Sequence, residues 1–154
     1  MTDRLNRYEY GCLLALAASS RSEGRRTKVG CAIEDHEGRI IATGYNGYAA
    51  GYNLDEVISN NQKARPYYIH AETNALSLIK RNEGHVLYCT HAPCVNCSQN
   101  IISHGFEQIV YMNVVEDMSN FELFNMYQVR IARLSDHSKD NIKSCILNNL
   151  SVNI

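Results

Sequence analysis

The sequence predicts an α/β protein with a three-layer α/β/α architecture, helices covering both faces of a mixed five-stranded sheet. Three observations carry this expectation. After residue 82, short apolar strands alternate with segments of helical period, the pattern of βαβ units and parallel strand pairs. Before it, two apolar runs flank a polar turn, as in an antiparallel hairpin. Helical spacing recurs in the first, middle and last segments, enough to clothe a sheet on both sides.

Tyr8 to Ser20 carries Tyr8, Cys12, Leu13, Ala15, Leu16 and Ala17 at near-helical spacing and predicts a first helix, which Ser19 to Arg26 breaks. Val29, Cys31 and Ile33 alternate within Lys28 to Ile33, a turn follows at Asp35-His36-Glu37-Gly38, and Arg39 to Thr43 returns as the second strand. Gly44 to Pro66 holds Gly, Asn and Tyr without periodicity and predicts a long functional loop. His70 to Lys80 sets Ala71, Ala75, Leu76 and Ile79 on one face of a helix, and Val86 to Thr90 reads as a short buried strand. Pro93 suits the first turn of the next helix, Cys94 to Ser103, which stops near Gly105. Phe106 to Met112 reads as a strand, Asn120 to Tyr127 as a short helix and Val129 to Leu134 as the fifth strand. Lys139 to Leu150 reads as a terminal helix with Ile142, Cys145, Ile146 and Leu150 inward.

A chain of 154 residues has the length of a single domain, here residues 1–154, with one core. Hydrophobic content of 45% with 20% charged residues is that of a soluble globular protein, and no run approaches the roughly 18 apolar residues of a membrane span. Met1 to Arg7 lacks the apolar core of a signal peptide, so a cytoplasmic, reducing setting is expected. Cys12, Cys31, Cys89 and Cys145 lie in apolar surroundings, where a free thiol behaves as a small hydrophobe. The net charge of −1 favours a small substrate over a nucleic acid.

The chemistry concentrates in His70-Ala71-Glu72 and Pro93-Cys94-Val95-Asn96-Cys97. His70, Cys94 and Cys97 supply one imidazole and two thiolates, a good ligand set for one zinc ion per chain with a fourth position open to water. Zinc lowers the pKa of such a water to roughly 7. Glu72, two residues after a ligand on the first turn of a helix, is placed to carry its proton without binding the metal. Thiolates at a helix N-terminus are favoured by the dipole. The bland alternative is a structural zinc knuckle, whose fourth ligand would come from His91, Cys89 or His104. For Asn46, in Gly44-Tyr45-Asn46-Gly47, the bland alternative is a turn in which Gly47 takes positive φ.

His-x-Glu followed by Pro-Cys-x-x-Cys is the signature of zinc-dependent nucleobase deaminases. From about Ala15 to Asn113 the chain resembles the cytidine deaminase superfamily, and within it the deoxycytidylate (dCMP) deaminases. The likeness runs through Lys28-Val29-Gly30, Gly44-Tyr45-Asn46-Gly47, His70-Ala71-Glu72-Thr73-Asn74-Ala75 and Thr90-His91-Ala92-Pro93-Cys94-Val95-Asn96-Cys97. It implies the cytidine-deaminase-like α/β/α fold and conversion of dCMP to dUMP and ammonia: zinc-activated water attacks C4, while Glu72 delivers the water proton to N3 and then protonates the departing amine. It implies that Asn46 contacts the base or sugar, that Ala71, Thr90, His91 and Ala92 receive the base and its amine, and that Arg26 and Lys28 face the phosphate. It also implies a homo-oligomer, a dimer or a hexamer, with dCTP and dTTP as activating and inhibiting effectors, in the cytoplasm of a bacterial or virus-infected cell.

The chain departs from the family pattern in two places. Many members have a Tyr shortly after the strand that ends at Met112, where this chain has Val114-Val115-Glu116. Some bind a second, structural zinc through cysteines near the end of the first helix and in the loop after Gly47, yet Ser19 to Arg26 and Tyr48 to Arg65 contain neither Cys nor His. Rival functions are deamination of dCTP, of a 5-modified cytosine nucleotide or of a nucleoside. An RNA deaminase would show a basic surface around the pocket, and a non-catalytic zinc-stabilised binding module would hold zinc without releasing ammonia from any cytosine nucleotide.

Overall fold

Alternation along the strands sorts the apolar residues into two separate cores. In the computed structural model, which describes residues 4–24, 27–52, 68–114 and 120–150, the chain runs through α1 (Arg7–Ser19), β1 (Gly30–Asp35), β2 (Ile40–Tyr45), α2 (Ala71–Leu76) and β3 (Gly84–His91). It continues through α3 (Val95–Ser103), β4 (Gln108–Asn113), α4 (Asn120–Met126), β5 (Arg130–Arg133) and α5 (Asp136–Cys145), with a π-helical turn at Ile146–Leu150. The strands form one five-stranded sheet in the order β2-β1-β3-β4-β5. β1 is antiparallel to β2 and to β3, while β3, β4 and β5 are parallel neighbours. The sheet is therefore mixed, hairpin on one side and βαβ units on the other, as the sequence predicts.

Period-2 side chains point to opposite faces. Cys31, Ile33, Leu87, Cys89, Ile109 and Tyr111 join Ala71, Ala75, Cys97, Ile101 and Phe124 in one core, beneath α2, α3 and α4. Ala32, Val86, Tyr88, Val110 and Met112 join Cys12, Ala15 and Ile142 in the other, beneath α1 and α5. These are the three layers. Every residue of β1 is buried because both layers cover it.

Two glycines let helices approach this sheet backbone to backbone. A Cβ on Gly30 would lie 2.0 Å from the Ala15 carbonyl oxygen, so α1 rests directly on β1. A Cβ on Gly44 would lie 2.4 Å from the Ala71 carbonyl oxygen and 2.6 Å from the Ala75 nitrogen, so α2 rests directly on β2. The contact side of α1 is made of small residues: Gly11, Cys12, Ala15 and Ser19 are buried, while Tyr8 and Leu16 are exposed. The expected apolar stripe is thus shifted, because the Tyr88 ring lies flat against Gly11 and leaves no room for a large side chain there. On the α1 side, Arg7 donates to the buried Glu34 carboxylate, whose other oxygen accepts from Tyr88 Oη at 2.9 Å.

The remaining differences from the sequence reading are at element ends. β1 starts at Gly30 rather than Lys28, β2 reaches Tyr45, and Pro93 precedes the cap of α3 instead of sitting in its first turn. Ile142 is buried as expected, but Leu150 is 49% exposed. The π turn changes the helical pitch and rotates Leu150 off the inward face. Among the described residues, no helix is long and apolar enough to cross a membrane.

Gly44→Ala should destabilise the fold by about 1–3 kcal/mol through overpacking of β2 against α2. Chemical denaturation checks this; an unchanged midpoint would mean that α2 does not bear on the strand.

Candidate active site

His70 and Cys94 occupy the same structural position on two different helices. Each is the N-cap residue of its helix, with extended backbone (ψ 152° for His70 and 170° for Cys94), so each side chain projects from a helix start toward the neighbouring one. Cys97 follows on the first turn of α3. His70 Nδ1 lies 3.5 Å from Cys94 Sγ and 3.4 Å from Cys97 Sγ. The structure thus brings the three sequence-predicted ligands to one point, with donor atoms within 4.8 Å of one another.

Zinc–nitrogen and zinc–sulfur bonds of about 2.0–2.3 Å suit donors spaced at about 3.4–3.8 Å, so this donor set fits a tetrahedral ion with one position left over. Of the candidates for a fourth protein ligand, none belongs to this group. Cys89 faces Cys31 with 3.1 Å between sulfurs, His91 Nδ1 lies 3.0 Å from Thr90 Oγ1, and His104 Nδ1 lies 2.9 Å from the Asn100 carbonyl.

Depth separates the roles available. His70 and Cys94 are exposed, whereas Cys97 and Glu72 are buried behind them. Burial is the main force raising the Glu72 pKa, opposed by the nearby imidazole of His70 and by a hydrogen bond with Cys97. The two thiols share one proton unequally. Hydrogen bonds from Cys97 and His70 pull Cys94 down to about 3, while the same pairing and burial push Cys97 up. His70 is raised by its hydrogen bond to Cys94. A thiolate, a carboxyl whose pKa burial raises and an imidazole therefore stand within reach of one another.

Asn46 is pinned: its Oδ1 accepts from Val29 N at 2.8 Å and from Ser22 Oγ, and its Nδ2 donates to Thr27 O at 3.0 Å. Next to it, Gly47 pairs with Ile69 through two backbone hydrogen bonds, which bring the loop after β2 beside His70. Thr90 is buried and accepts from Gly30 N at 3.1 Å. His91 is half-buried, and burial lowers its pKa, so the neutral imidazole is favoured. Ala71 and Ala92 are buried. Lys28 is exposed, with Nζ donating to Ser22 O at 3.2 Å. Arg26 lies outside the described residues.

Three supporting side chains were not singled out by the sequence reading. Asn74 donates from Nδ2 to Tyr45 O at 2.7 Å and ties α2 to the end of β2. Asn113 donates from Nδ2 to Thr90 O at 3.0 Å, while its carbonyl accepts from Ala92 N at 2.9 Å. Thr73 hydrogen-bonds the Cys97 sulfur. The available signal was a polar residue at the end of an apolar strand, as at Asn113, or just after a ligand, as at Thr73.

A three-layer sheet with imidazole and thiols at its edge and a carboxyl behind them is the framework of a metal-dependent deaminase. The chain belongs to the cytidine and deoxycytidylate deaminase family, whose zinc-binding region matches residues 5–113. The deoxycytidylate deaminase of Mycobacterium phage D29 is 36% identical over 118 residues, covering 67% of this chain and 91% of the relative. The human deoxycytidylate deaminase is 30% identical over 122 residues, covering 72% of this chain and 67% of the relative. Among solved structures, the dCMP deaminase of cyanophage S-TIM5 in complex with dCMP and dUMP is similar with a TM-score of 0.71. It is 28% identical, over 82% of this chain and 95% of that one.

Replacing Cys97 with Ala should lower zinc content well below one equivalent per chain, because a buried ligand is lost and metal affinity depends on every donor. Elemental analysis after dialysis checks this, and full occupancy would remove Cys97 from the ligand set.

Proposed function

We propose that this chain is a single deaminase domain that hydrolyses dCMP to dUMP and ammonia, using one zinc ion held by His70, Cys94 and Cys97. The observation that carries the reading is the buried Glu72 carboxyl directly behind a three-donor cluster that has no fourth protein donor among the described residues. When bound, zinc supplies a Lewis acid that makes water nucleophilic near neutral pH.

The chain's own residues account for the proton movements. Glu72 takes a proton from the attacking water, whose oxygen bonds to C4 of the cytosine ring, and passes it to N3. It then takes the second proton from the C4 hydroxyl and delivers it to the exocyclic amine; the C4–N bond breaks, ammonia leaves, and the C4 oxygen becomes the carbonyl of uracil. A carboxyl whose pKa is raised by burial is suited to both directions of transfer. The neutral His91, Thr90, Ala71 and Ala92 form the wall that receives the base. Asn46 contacts the base or sugar through the Nδ2 hydrogen that its bonds to Thr27, Val29 and Ser22 leave over among the described residues. Pinning of this kind lowers the entropy lost when a ligand is bound. Arg26 and Lys28 are the candidates for the phosphate.

The dCMP- and dUMP-bound relative supports the nucleotide substrate; a homo-oligomer, a cytoplasmic location and effector binding by dCTP and dTTP complete this reading on the family resemblance alone.

Glu72→Gln should retain zinc and fold but lose about 10²- to 10⁴-fold in turnover, since an amide cannot carry the proton. Comparable turnover in the variant, read as ammonia release, would exclude Glu72 from the mechanism. The wild type should also prefer dCMP over deoxycytidine by about 10- to 150-fold, the worth of a charge-assisted hydrogen bond of roughly 1.5–3 kcal/mol realised in the transition state. Equal kcat/KM on the two substrates would overturn the assignment to a monophosphate.

A further inference from the structure

At the other end of the sheet, three side chains from three separate backbone segments meet. His36 sits in the β1–β2 turn, His85 is the second residue of β3, and Glu107 immediately precedes β4. The Glu107 carboxylate oxygen lies 3.5 Å from His85 Nδ1 and 4.0 Å from His36 Nδ1. The two imidazole rings are 4.8 Å apart between centroids, tilted by 40°. All three donor atoms fall within 4.8 Å of one another. We propose that His36, His85 and Glu107 form a second metal site, selective for a divalent transition ion that accepts nitrogen and oxygen donors.

The backbone holds the three residues in register. In the antiparallel β1–β3 pair Glu34 lies opposite Val86 and Asp35 opposite Gly84, so His85 is the extra residue of a β-bulge and His36 follows the pair that closes it. Asp35 Oδ1 accepts from Glu37 N and Arg39 N, each at 2.9 Å, and its Oδ2 accepts from Arg39 Nε at 2.9 Å, so the turn carrying His36 is braced from within. Glu107 N donates to His85 O at 3.2 Å and Glu107 O accepts from Arg130 N at 3.0 Å. None of these bonds uses the three donor side chains.

The donor chemistry decides the class of ligand. His85 Nδ1 is buried and has no hydrogen-bond partner, an orphaned polar atom aimed toward Glu107. Buried polar atoms without a partner are rare and call for an unplaced ligand. Neighbouring imidazoles make poor partners as two cations and good ones as two neutral ligands of one cation. Two nitrogens and a carboxylate, without sulfur, suit nickel, cobalt, copper or zinc in the Irving–Williams sense and do not suit magnesium or calcium. Metal–nitrogen bonds of about 2.0–2.1 Å require donors about 3.3–3.5 Å apart, so only the exposed His36 and Glu107 side chains must close in, by rotation. His36 and Glu107 are 52% and 57% exposed, which leaves the remaining coordination positions to water. The site lies about 20 Å along β3 from His91, at a strand rise of about 3.3 Å per residue, so it does not rest on the deaminase reading. A bound ion would tie the hairpin turn to the starts of the two central parallel strands.

The test uses the full chain, with zinc loaded and excess metal removed, titrated with Ni²⁺ by calorimetry and with Co²⁺ by absorption. The expected result is one further equivalent of either ion per chain. Its affinity falls at least about 10-fold in His36→Ala and in Glu107→Gln, both at exposed positions that leave the core intact. The additional Co²⁺ should give ligand-field bands without sulfur-to-metal charge transfer, which separates it from ion entering the thiolate cluster. No uptake beyond the zinc-loaded protein overturns the proposal, as does uptake that both variants retain. Loss of zinc from the thiolates in a Cys97 variant would bear on the proposed function alone, because the His36 and Glu107 dependence is read separately.

Discussion

The position of α2 on the sheet is set by contact between backbones. Because Gly44 has no side chain, the Ala71 carbonyl and the Ala75 nitrogen come within 2.4 Å and 2.6 Å of where its Cβ would be, and Asn74 fastens the same helix to Tyr45 O. Everything at the candidate active site inherits that placement. His70 caps this helix, Glu72 lies on its first turn, and both meet the start of α3 at the edge of the sheet. A helix held away from β2 by even one methyl group would carry imidazole and carboxyl away from the two sulfurs together.

The chemistry is divided between two depths of this arrangement. At the mouth, His70 and Cys94 are open to solvent and polarise each other, the imidazole taking positive charge and the sulfur negative. Behind them, Cys97 and Glu72 are shielded; the hydrogen bond with Cys94 and then burial raise Cys97, and burial raises Glu72. Within 4.8 Å of Glu72 lie the fully buried thiols of Cys31 and Cys89, which cross-strand pairing sets side by side. The carboxyl therefore has a weakly polar floor and a strongly polar ceiling, and its proton is exchanged on the upper side.

Much of this was legible in the residues because it is written in local patterns. His-x-Glu and Pro-Cys-x-x-Cys mark candidate ligands through spacing alone, and alternation in Cys31/Ile33 and Val86/Tyr88 specifies strands whichever helices cover them. The illegible parts depend on partners distant in sequence. Which side of α1 is buried is decided by the Tyr88 ring against Gly11, and apolar residue size pointed instead to Tyr8 and Leu16. The bonding of Asn46 to three segments of the preceding loop is invisible in Gly-Tyr-Asn-Gly, where the local reading is a simple turn. The meeting of His36 with His85 and Glu107 requires the β1–β3 register and the parallel β3–β4 pairing, neither of which any short motif encodes.

The exposure gradient across the cluster has a kinetic meaning. The two donors at the mouth are those a hydrated ion encounters first, and Cys94 is the thiol that gives up its proton most readily. Cys97 lies deeper, and its pairing with Cys94 and its burial hold its pKa up. A metal held here would face solvent at His70 and Cys94 and the buried core at Cys97.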